Sequence, residues 1–285
     1  MGSTTASLSG SYVKAKKPLF FTGTRTWRAL ISIAVFLVLW ELGSRSEEWF
    51  EVLVPWVGRV PAPTKVFAAW GPLLGDAGYW QSWGLSFQRV LGGFVVAMIV
   101  GIPLGLAMAS SRLFYNTAFP VFEVLRPIPP LAWVPASIIF WPTQEMSIAF
   151  VTFLGAFYTI VINVLGGAKS IDIRFFQSAR SMGSNGWDLF RRIVLPGTLP
   201  SIFVGAAVGM GITWEVVVAA EMISGGGNSI GGSGGGLGFF IWNSYVGGSY
   251  EQIVVGMISI GIAGYLSSSA IRWLGERFTP WRRTR

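Results

Sequence analysis

Apolar residues fall along this chain in long runs, not in the short alternating patterns of a soluble sheet or the narrow stripes of surface helices. A helix that crosses a hydrocarbon core of about 30 Å needs about 20 mostly apolar residues. Six stretches read as such crossings: 27–43, 90–109, 120–141, 146–165, 199–223 and 253–274. The first is short and bounded by Arg28 and Arg45. The third contains Pro127, Pro129, Pro130 and Pro135, so it is expected to bend or to begin as irregular backbone. Such backbone survives at membrane depth only where protein or a wet cavity satisfies it. The pattern predicts an all-α polytopic membrane protein with about six transmembrane helices. A signal peptide competes for the first stretch, but Trp40, Glu41 and Leu42 stand where small cleavage-site residues belong, which favours a retained span.

Composition agrees. Of 285 residues 52% are hydrophobic and 12% charged, whereas a soluble domain carries about 25% charged residues. The 21 Phe and 14 Trp exclude a disordered chain. Cysteine and histidine are both absent. That removes disulfides, thiolate metal sites, Ser-His-Asp triads, imidazole ligands and imidazole proton shuttles.

The placement of Lys and Arg predicts orientation. Lys14, Lys16, Lys17, Arg25 and Arg28 precede or open the first crossing; Lys169, Arg174, Arg180, Arg191 and Arg192 lie between the fourth and fifth; Arg272, Arg277, Arg282, Arg283 and Arg285 follow the sixth. An even number of crossings puts all three groups on one side, and the excess of positive charge makes that side cytoplasmic. Both termini are then expected in the cytoplasm of a cell whose inner or plasma membrane holds the chain. The predicted organisation is a cytoplasmic tail (1–26), a first transmembrane helix (27–43), an external segment with an amphipathic helix near 63–74 (44–83), a core transmembrane region (84–274) and a cytoplasmic tail (275–285). The net charge of +8 is a topology signal. No basic stripe with interleaved aromatics suggests a nucleic-acid partner.

The loop at 170–201 is about thirty residues long and amphipathic within, where a connector needs only a handful. Residues 174–182 and 187–193 can form two short helices, with Gly183 and Gly186 permitting the turn and Pro196 and Pro200 marking a new span. The result is a helical knuckle offering Phe175, Phe176, Trp187 and Phe190. On pattern alone it is either a docking site or an interfacial helix pair on lipid headgroups.

This loop resembles the "EAA" loop of ABC importer permeases, E-A-A-x(3)-G-x(9)-I-x-L-P. Ala179, Gly183, Ile193, Leu195 and Pro196 fall at the matching spacings, and Gln177 and Ser178 replace the Glu and first Ala. The stretches LRPIPPLAWVP (125–135), AAEMI (219–223) and GLGFFIW (236–242) resemble the nitrate/sulfonate/taurine/bicarbonate branch, and the likeness runs over about 61–283. The resemblance implies a type I ABC importer permease fold. It implies a second copy of the permease, two cytoplasmic ATPases that bind ATP and Mg, and an external substrate-binding protein. The solute would be a small anion or zwitterion (nitrate, bicarbonate, sulfonate or taurine) passed by alternating access. Gln177, Ser178, Ala179, Arg180, Gly183, Ile193, Leu195 and Pro196, within 170–198, would form the ATPase-coupling loop. No G-x(4)-G-K-[ST] phosphate loop occurs, so this transport subunit is expected to be no enzyme and to hold no cofactor or metal of its own.

Charges within the spans are functional candidates by default. Arg126, Thr213, Glu215 and Glu221 are candidates for the translocation path; Glu123 and Arg126 can instead form a structural pair three residues apart. A carboxylate would repel a pure anion but suit a zwitterion or a gate. The segment 224–238, with nine glycines, reads as a mobile external loop or, less simply, an anion nest. Its G-x-S-x-G match is chance in a chain without His. Gly101-x-x-x-Gly105 and Gly205-x-x-x-Gly209 predict close helix contacts. The competing function is a self-contained secondary transporter or an intramembrane enzyme. The first would commonly show internal repeats, and the second needs paired acids deep in the spans.

Overall fold

The computed structural model describes residues 23–50, 55, 58–223 and 235–281. The basic residues before Gly23, those after Trp281 and most of the glycine-rich stretch lie outside them. All regular structure among the described residues is helical. Helices α1 (Gly23–Ser44), α2 (Ser46–Phe50) and α3 (Pro63–Leu73) precede the long α4 (Ala77–Ser110). Then come α5 (Arg112–Leu125), a 3-10 turn (Pro130–Trp133), α6 (Val134–Phe140) and α7 (Gln144–Lys169). The remainder is α8 (Ile173–Ser181), α9 (Gly186–Leu189), a π-helical turn (Phe190–Val194), α10 (Leu195–Ile223), α11 (Gly236–Val246) and α12 (Tyr250–Phe278).

Small residues set the packing. On α4, Gly93 faces Thr152, Gly101 faces Ile160 and Gly105 faces Val164, so α4 and α7 run parallel in register. On α10, Gly205 meets Asn163 and Gly209 meets Ala156, so α10 runs antiparallel to α7. Trp214 on α10 donates its ring N–H to Ser267 Oγ of α12 at 3.0 Å, and Phe203 packs on Gly275, which sets α12 antiparallel to α10. Both G-x-x-x-G pairs thus face α7, the helix at the centre of the main core. The core includes Val90, Ala97, Ile160, Val164, Ala206, Met210 and Trp214, all buried.

Parallel α4 and α7 require the chain to return the full height between them. Among the described residues five helical stretches are individually long and apolar enough to cross a membrane. The predicted single crossing at 120–141 is not one of them. It is split, because Pro127, Pro129 and Pro130 each remove a backbone donor and disfavour helical dihedrals at the residue before. The return begins earlier than predicted, at Arg112. At 1.5 Å per residue α5 supplies about 21 Å, and the Pro130–Phe140 piece about 16 Å. Contacts at both ends confirm the direction. Lys169, at the end of α7, lies 3.5 Å above the Tyr115 ring near the start of α5. Ser147, near the start of α7, donates to the Ser137 carbonyl of α6 at 2.9 Å.

Boundaries also shift at α4, which starts at Ala77 because Asp76 caps it, accepting from the Gly78 and Tyr79 amides. Its first two turns therefore fall within the predicted external segment 44–83. The amphipathic helix expected near 63–74 is present as α3, opened by Pro63 and burying Val66 and Leu73. Tyr79 holds this region to α12, with its hydroxyl 2.7 Å from Ser259 Oγ, and it accepts from the Trp70 ring N–H at 3.1 Å.

The register predicts opposite signs for two glycine substitutions. A Cβ on Gly167 would fall on the Ser201 side chain, whereas one on Gly92 meets nothing within 4 Å. Gly167→Ala is expected to destabilise by about 1–3 kcal/mol through overpacking. Gly92→Ala should stabilise by up to about 1 kcal/mol through helix propensity. Thermal aggregation midpoints of the detergent-solubilised chains would compare them; equal midpoints would contradict the α7–α10 register.

Candidate functional site

Three features, two clusters of polar or charged groups and one isolated carboxylate, stand out once the helices are placed. The first is the knuckle. Asp172 caps α8 by accepting from the Arg174 amide at 2.9 Å, and Asn185 caps α9 by accepting from the Asp188 amide at 2.9 Å. Between them Gly183 adopts φ +80°. Its amide donates to the Arg180 carbonyl at 2.9 Å, and the Ser184 amide donates to the Ala179 carbonyl at 3.1 Å. These two bonds are the Schellman closure of a helix, which places a left-handed residue at that position and favours glycine there. The turn predicted at Gly183 is therefore formed, while Gly186 opens α9.

The second helix departs from the expectation. It does not stop before a new span at Pro196. The helical path runs unbroken from Gly186 to Ile223, through the π turn at Phe190–Val194. There the Leu195 amide reaches back to the Phe190 carbonyl. Pro196 cannot donate to the carbonyl four residues earlier, and a widened turn just before it accommodates that loss. The knuckle is thereby continuous with α10, the helix that runs through the core. Of the predicted loop residues, Ala179 is buried at the α8 face, and Gln177, Ser178, Arg180 and Gly183 are exposed or half-buried on the knuckle. Ile193 lies in the π turn, and Leu195 and Pro196 open α10. Phe175, Met182 and Trp187 are each more than 60% exposed, and Trp187 stacks on Phe190 with ring centroids 5.6 Å apart. A rigid, capped turn thus presents an apolar surface with Arg174, Arg180, Arg191 and Arg192 around it.

The second cluster lies toward the opposite end. Glu221 is fully buried in α10. Its carboxylate accepts from Arg89 Nη1 at 2.9 Å, from Ser86 Oγ at 2.9 Å and from the Gly238 amide at 2.9 Å. Arg89 also donates to the Gly235 carbonyl at 2.9 Å and pairs with Glu145, whose side chain is largely exposed at the start of α7. Ser86 accepts from the Leu237 amide at 2.8 Å. The network joins α4, α7, α10 and the first turn of α11. It clasps the chain at Glu221 and at Gly235, on either side of the glycine-rich stretch. Both carboxylate oxygens of Glu221 are occupied within the fold, which leaves none free for a solute. Sequence reasoning missed Arg89, because it stands one residue outside the apolar window that begins at Val90; an Arg that close to a span was the available signal.

The third is Glu215. Gly155 of α7 lies against Thr213 and Val216 of α10, and Gly264 of α12 lies against Trp214, so this part of α10 sits near the middle of both neighbouring helices. Between the two ends of α10, Val204, Val208, Gly211 and Glu215 are exposed at spacings of four, three and four residues and form one stripe along the helix. Glu215 has no hydrogen-bond or ion-pair partner among the described residues. Its neighbour Thr213 is fully buried, donating to the Gly209 carbonyl at 2.8 Å, so its side chain faces α7 and not the stripe. Arg126 is half exposed at the end of α5 and lies 3.6 Å from Glu123, forming the structural pair that the spacing allows. The four candidate path residues are therefore not brought together. Among the described residues no group of three or more acidic side chains could hold a metal ion.

The fold defines a multi-pass helical membrane permease in which one core span, α10, is continuous with a projecting helical knuckle. The chain belongs to the binding-protein-dependent transport system inner membrane component family, whose profile matches residues 101–284. It is 33% identical over 290 residues to the nitrate import permease protein of Synechocystis sp., covering 98% of each chain. It is 31% identical over 206 residues to the taurine transport system permease protein of Escherichia coli, covering 72% of each. A chain of the MetNI methionine ABC transporter, in an inward facing conformation, superposes with a TM-score of 0.53 at 22% identity, covering 74% of this chain and 96% of that one. The permease class and all-helical fold expected from the EAA-like loop are thus shown.

Proposed function

We propose that the chain is the membrane-spanning subunit of an ATP-driven importer, and that two copies line one path for a small anion or zwitterion of the nitrate, bicarbonate, sulfonate or taurine type. The observation that carries this reading is the knuckle: an exposed aromatic and arginine surface on a doubly capped turn, continuous through a π turn with α10. A push on Phe175, Met182 or Trp187 moves a rigid lever whose far part carries Glu215. Two cytoplasmic ATPases, holding ATP and Mg, would bear on the two knuckles, and an external binding protein would deliver solute at the opposite end. Both termini would then be cytoplasmic. Alternating access follows as a rocking of α10 against its counterpart in the second copy.

The exposed stripe on α10 supports the paired arrangement. A charged side chain at the centre of a bilayer costs about 2.5–3.5 kcal/mol even on the lenient insertion scale, so Glu215 is better placed facing a second copy or a wet passage than lipid. The enzyme alternative gains nothing from the geometry, because Glu215 has no acidic neighbour to work with among the described residues.

The absence of native cysteine makes the central test clean. Ser184→Cys is expected to react with a membrane-impermeant maleimide only after cells are opened, and to crosslink to a nucleotide-hydrolysing subunit in the assembled complex. Labelling of intact cells would reject the docking role. A second measurement reads the path: in cells expressing the assembled transporter, Glu215→Gln should lower taurine uptake about tenfold relative to nitrate uptake. One lost carboxylate–ammonium interaction of about 1.4 kcal/mol corresponds to that factor. An unchanged ratio would place Glu215 outside the path.

A further inference from the structure

The end of the bundle opposite the knuckle carries two adjoining hollows that together have the shape and chemistry of a phospholipid site. The outer one, about 340 Å³, is a polar cup bordered by Glu47, Glu48, Arg59, Lys65, Tyr250 and Glu251. The second, about 490 Å³, is an apolar cleft walled by Trp40, Ile253, Val254, Met257 and Ile258. They meet at Arg59, Val60, Pro61 and Tyr250, which border both. Along α1 the wall passes from Ser44 in the cup to Trp40 in the cleft; along α12 it passes from Glu251 to Ile258. On both helices the polar hollow lies nearer the helix ends and the apolar one lies deeper.

The cleft exists because α1 stands away from the bundle. It meets the rest of the chain at α3, where Glu41 accepts from the Thr64 amide at 3.1 Å and from its hydroxyl at 2.8 Å. Along its length Ile33, Phe36 and Leu39 are exposed, and Met257 is exposed on α12 across the gap. Two polar atoms on the α1 wall, Trp40 Nε1 and Ser44 Oγ, have no hydrogen-bond partner among the described residues.

The charges in the cup select the headgroup. Lys65 is paired with Glu48 at 3.0 Å. Arg59, Glu47 and Glu251 have no ion-pair partner among the described residues, which leaves one free cation, at the junction of cup and cleft, and two free carboxylates in the cup. A phosphate on Arg59 and a primary ammonium between Glu47 and Glu251 would complement all three. An anionic glycerol headgroup would meet two unpaired carboxylates, and a quaternary ammonium has no N–H to donate. We propose that this groove binds one glycerophospholipid with a primary-ammonium headgroup, such as phosphatidylethanolamine, from the leaflet opposite the knuckle. An acyl chain fills the gap between α1 and α12.

Native mass spectrometry of the full chain in a mild detergent, titrated separately with dioleoylphosphatidylethanolamine, dioleoylphosphatidylglycerol and dioleoylphosphatidylcholine, tests this. The parent chain is expected to retain one phosphatidylethanolamine about five- to tenfold better than either other lipid. Arg59→Ala, in an exposed turn, should abolish that preference. Glu251→Lys, half-buried in the first turn of α12, should shift it toward phosphatidylglycerol. Met257→Trp should reduce retention of all three by filling the cleft. Phosphatidylglycerol or phosphatidylcholine bound as well as phosphatidylethanolamine by the parent would overturn the headgroup assignment. Retention indifferent to both Arg59→Ala and Glu251→Lys would overturn the site, whether or not Met257→Trp folds.

Discussion

Arg89→Ala is expected to destabilise the chain by about 3–5 kcal/mol, the largest single effect among the polar positions, because it leaves the fully buried carboxylate of Glu221 without its counter-ion. The cost arises from the orphaned charge and not from the attraction of the pair, since burying both ions already opposes much of that attraction. The double variant Arg89→Met with Glu221→Leu is therefore expected to recover most of the loss. Recovery should stop short of completion, because the Gly238 amide then lacks an acceptor. Glu145 needs no rescue, being largely exposed and able to hydrate. Midpoints of thermal aggregation, measured on the three detergent-solubilised chains, give the order parent, double variant, single variant. A single variant as stable as the parent would mean that the clasp around the glycine-rich stretch does not hold α11 to α4 and α10.

The second large effect falls on transport. Gly183→Val places a β-branched residue at φ +80°, where an L residue pays about 1–2 kcal/mol and a β-branched one is a true outlier. The penalty is conformational, since a Cβ there meets nothing within 4 Å. Relief requires the Schellman bonds of Ser184 and Gly183 to break, and this would release Trp187 and Phe190 from their present orientation relative to α8. Solute uptake is expected to fall more than tenfold, with membrane insertion and α10 unaffected. Gly183→Asn should retain a substantial part of the activity, because Asn tolerates the left-handed region. Uptake by Gly183→Val at the parent rate, in cells with equal amounts of inserted protein, would remove the knuckle from the coupling path.

Much of this was legible in the linear pattern. The apolar runs give the crossings at 146–165 and 253–274 within a few residues of α7 and α12, because a lipid-spanning helix must satisfy all its backbone groups internally and so needs one long uninterrupted run. The turn at Gly183 was readable because a left-handed residue after a helix favours glycine. The prolines at 127–130 announced a break, but not that the crossing would be shared between α5 and α6, since α5 draws on the polar start Arg112 to Thr117 that a hydropathy window discards. Likewise Pro196 and Pro200 suggested a fresh start, whereas the π turn lets one helical path continue through them. Local rules report which hydrogen bonds a residue lacks, not how a neighbouring turn makes up the loss.

The candidate path shows the other boundary. From the sequence Thr213, Glu215 and Glu221 are three polar residues on one span, with nothing to separate their roles. Packing assigns Thr213 to the α7 interface, Glu221 to Arg89, and leaves Glu215 alone on an exposed stripe. By itself the sequence determined that the chain is helical, crosses a membrane repeatedly and carries a projecting knuckle, because those follow from hydropathy, turn chemistry and spacing along the backbone. Only the tertiary structure decided which buried charge is neutralised and which is presented, because that depends on partners brought from 132 residues away, as Arg89 is to Glu221, and such distance has no signature in local pattern.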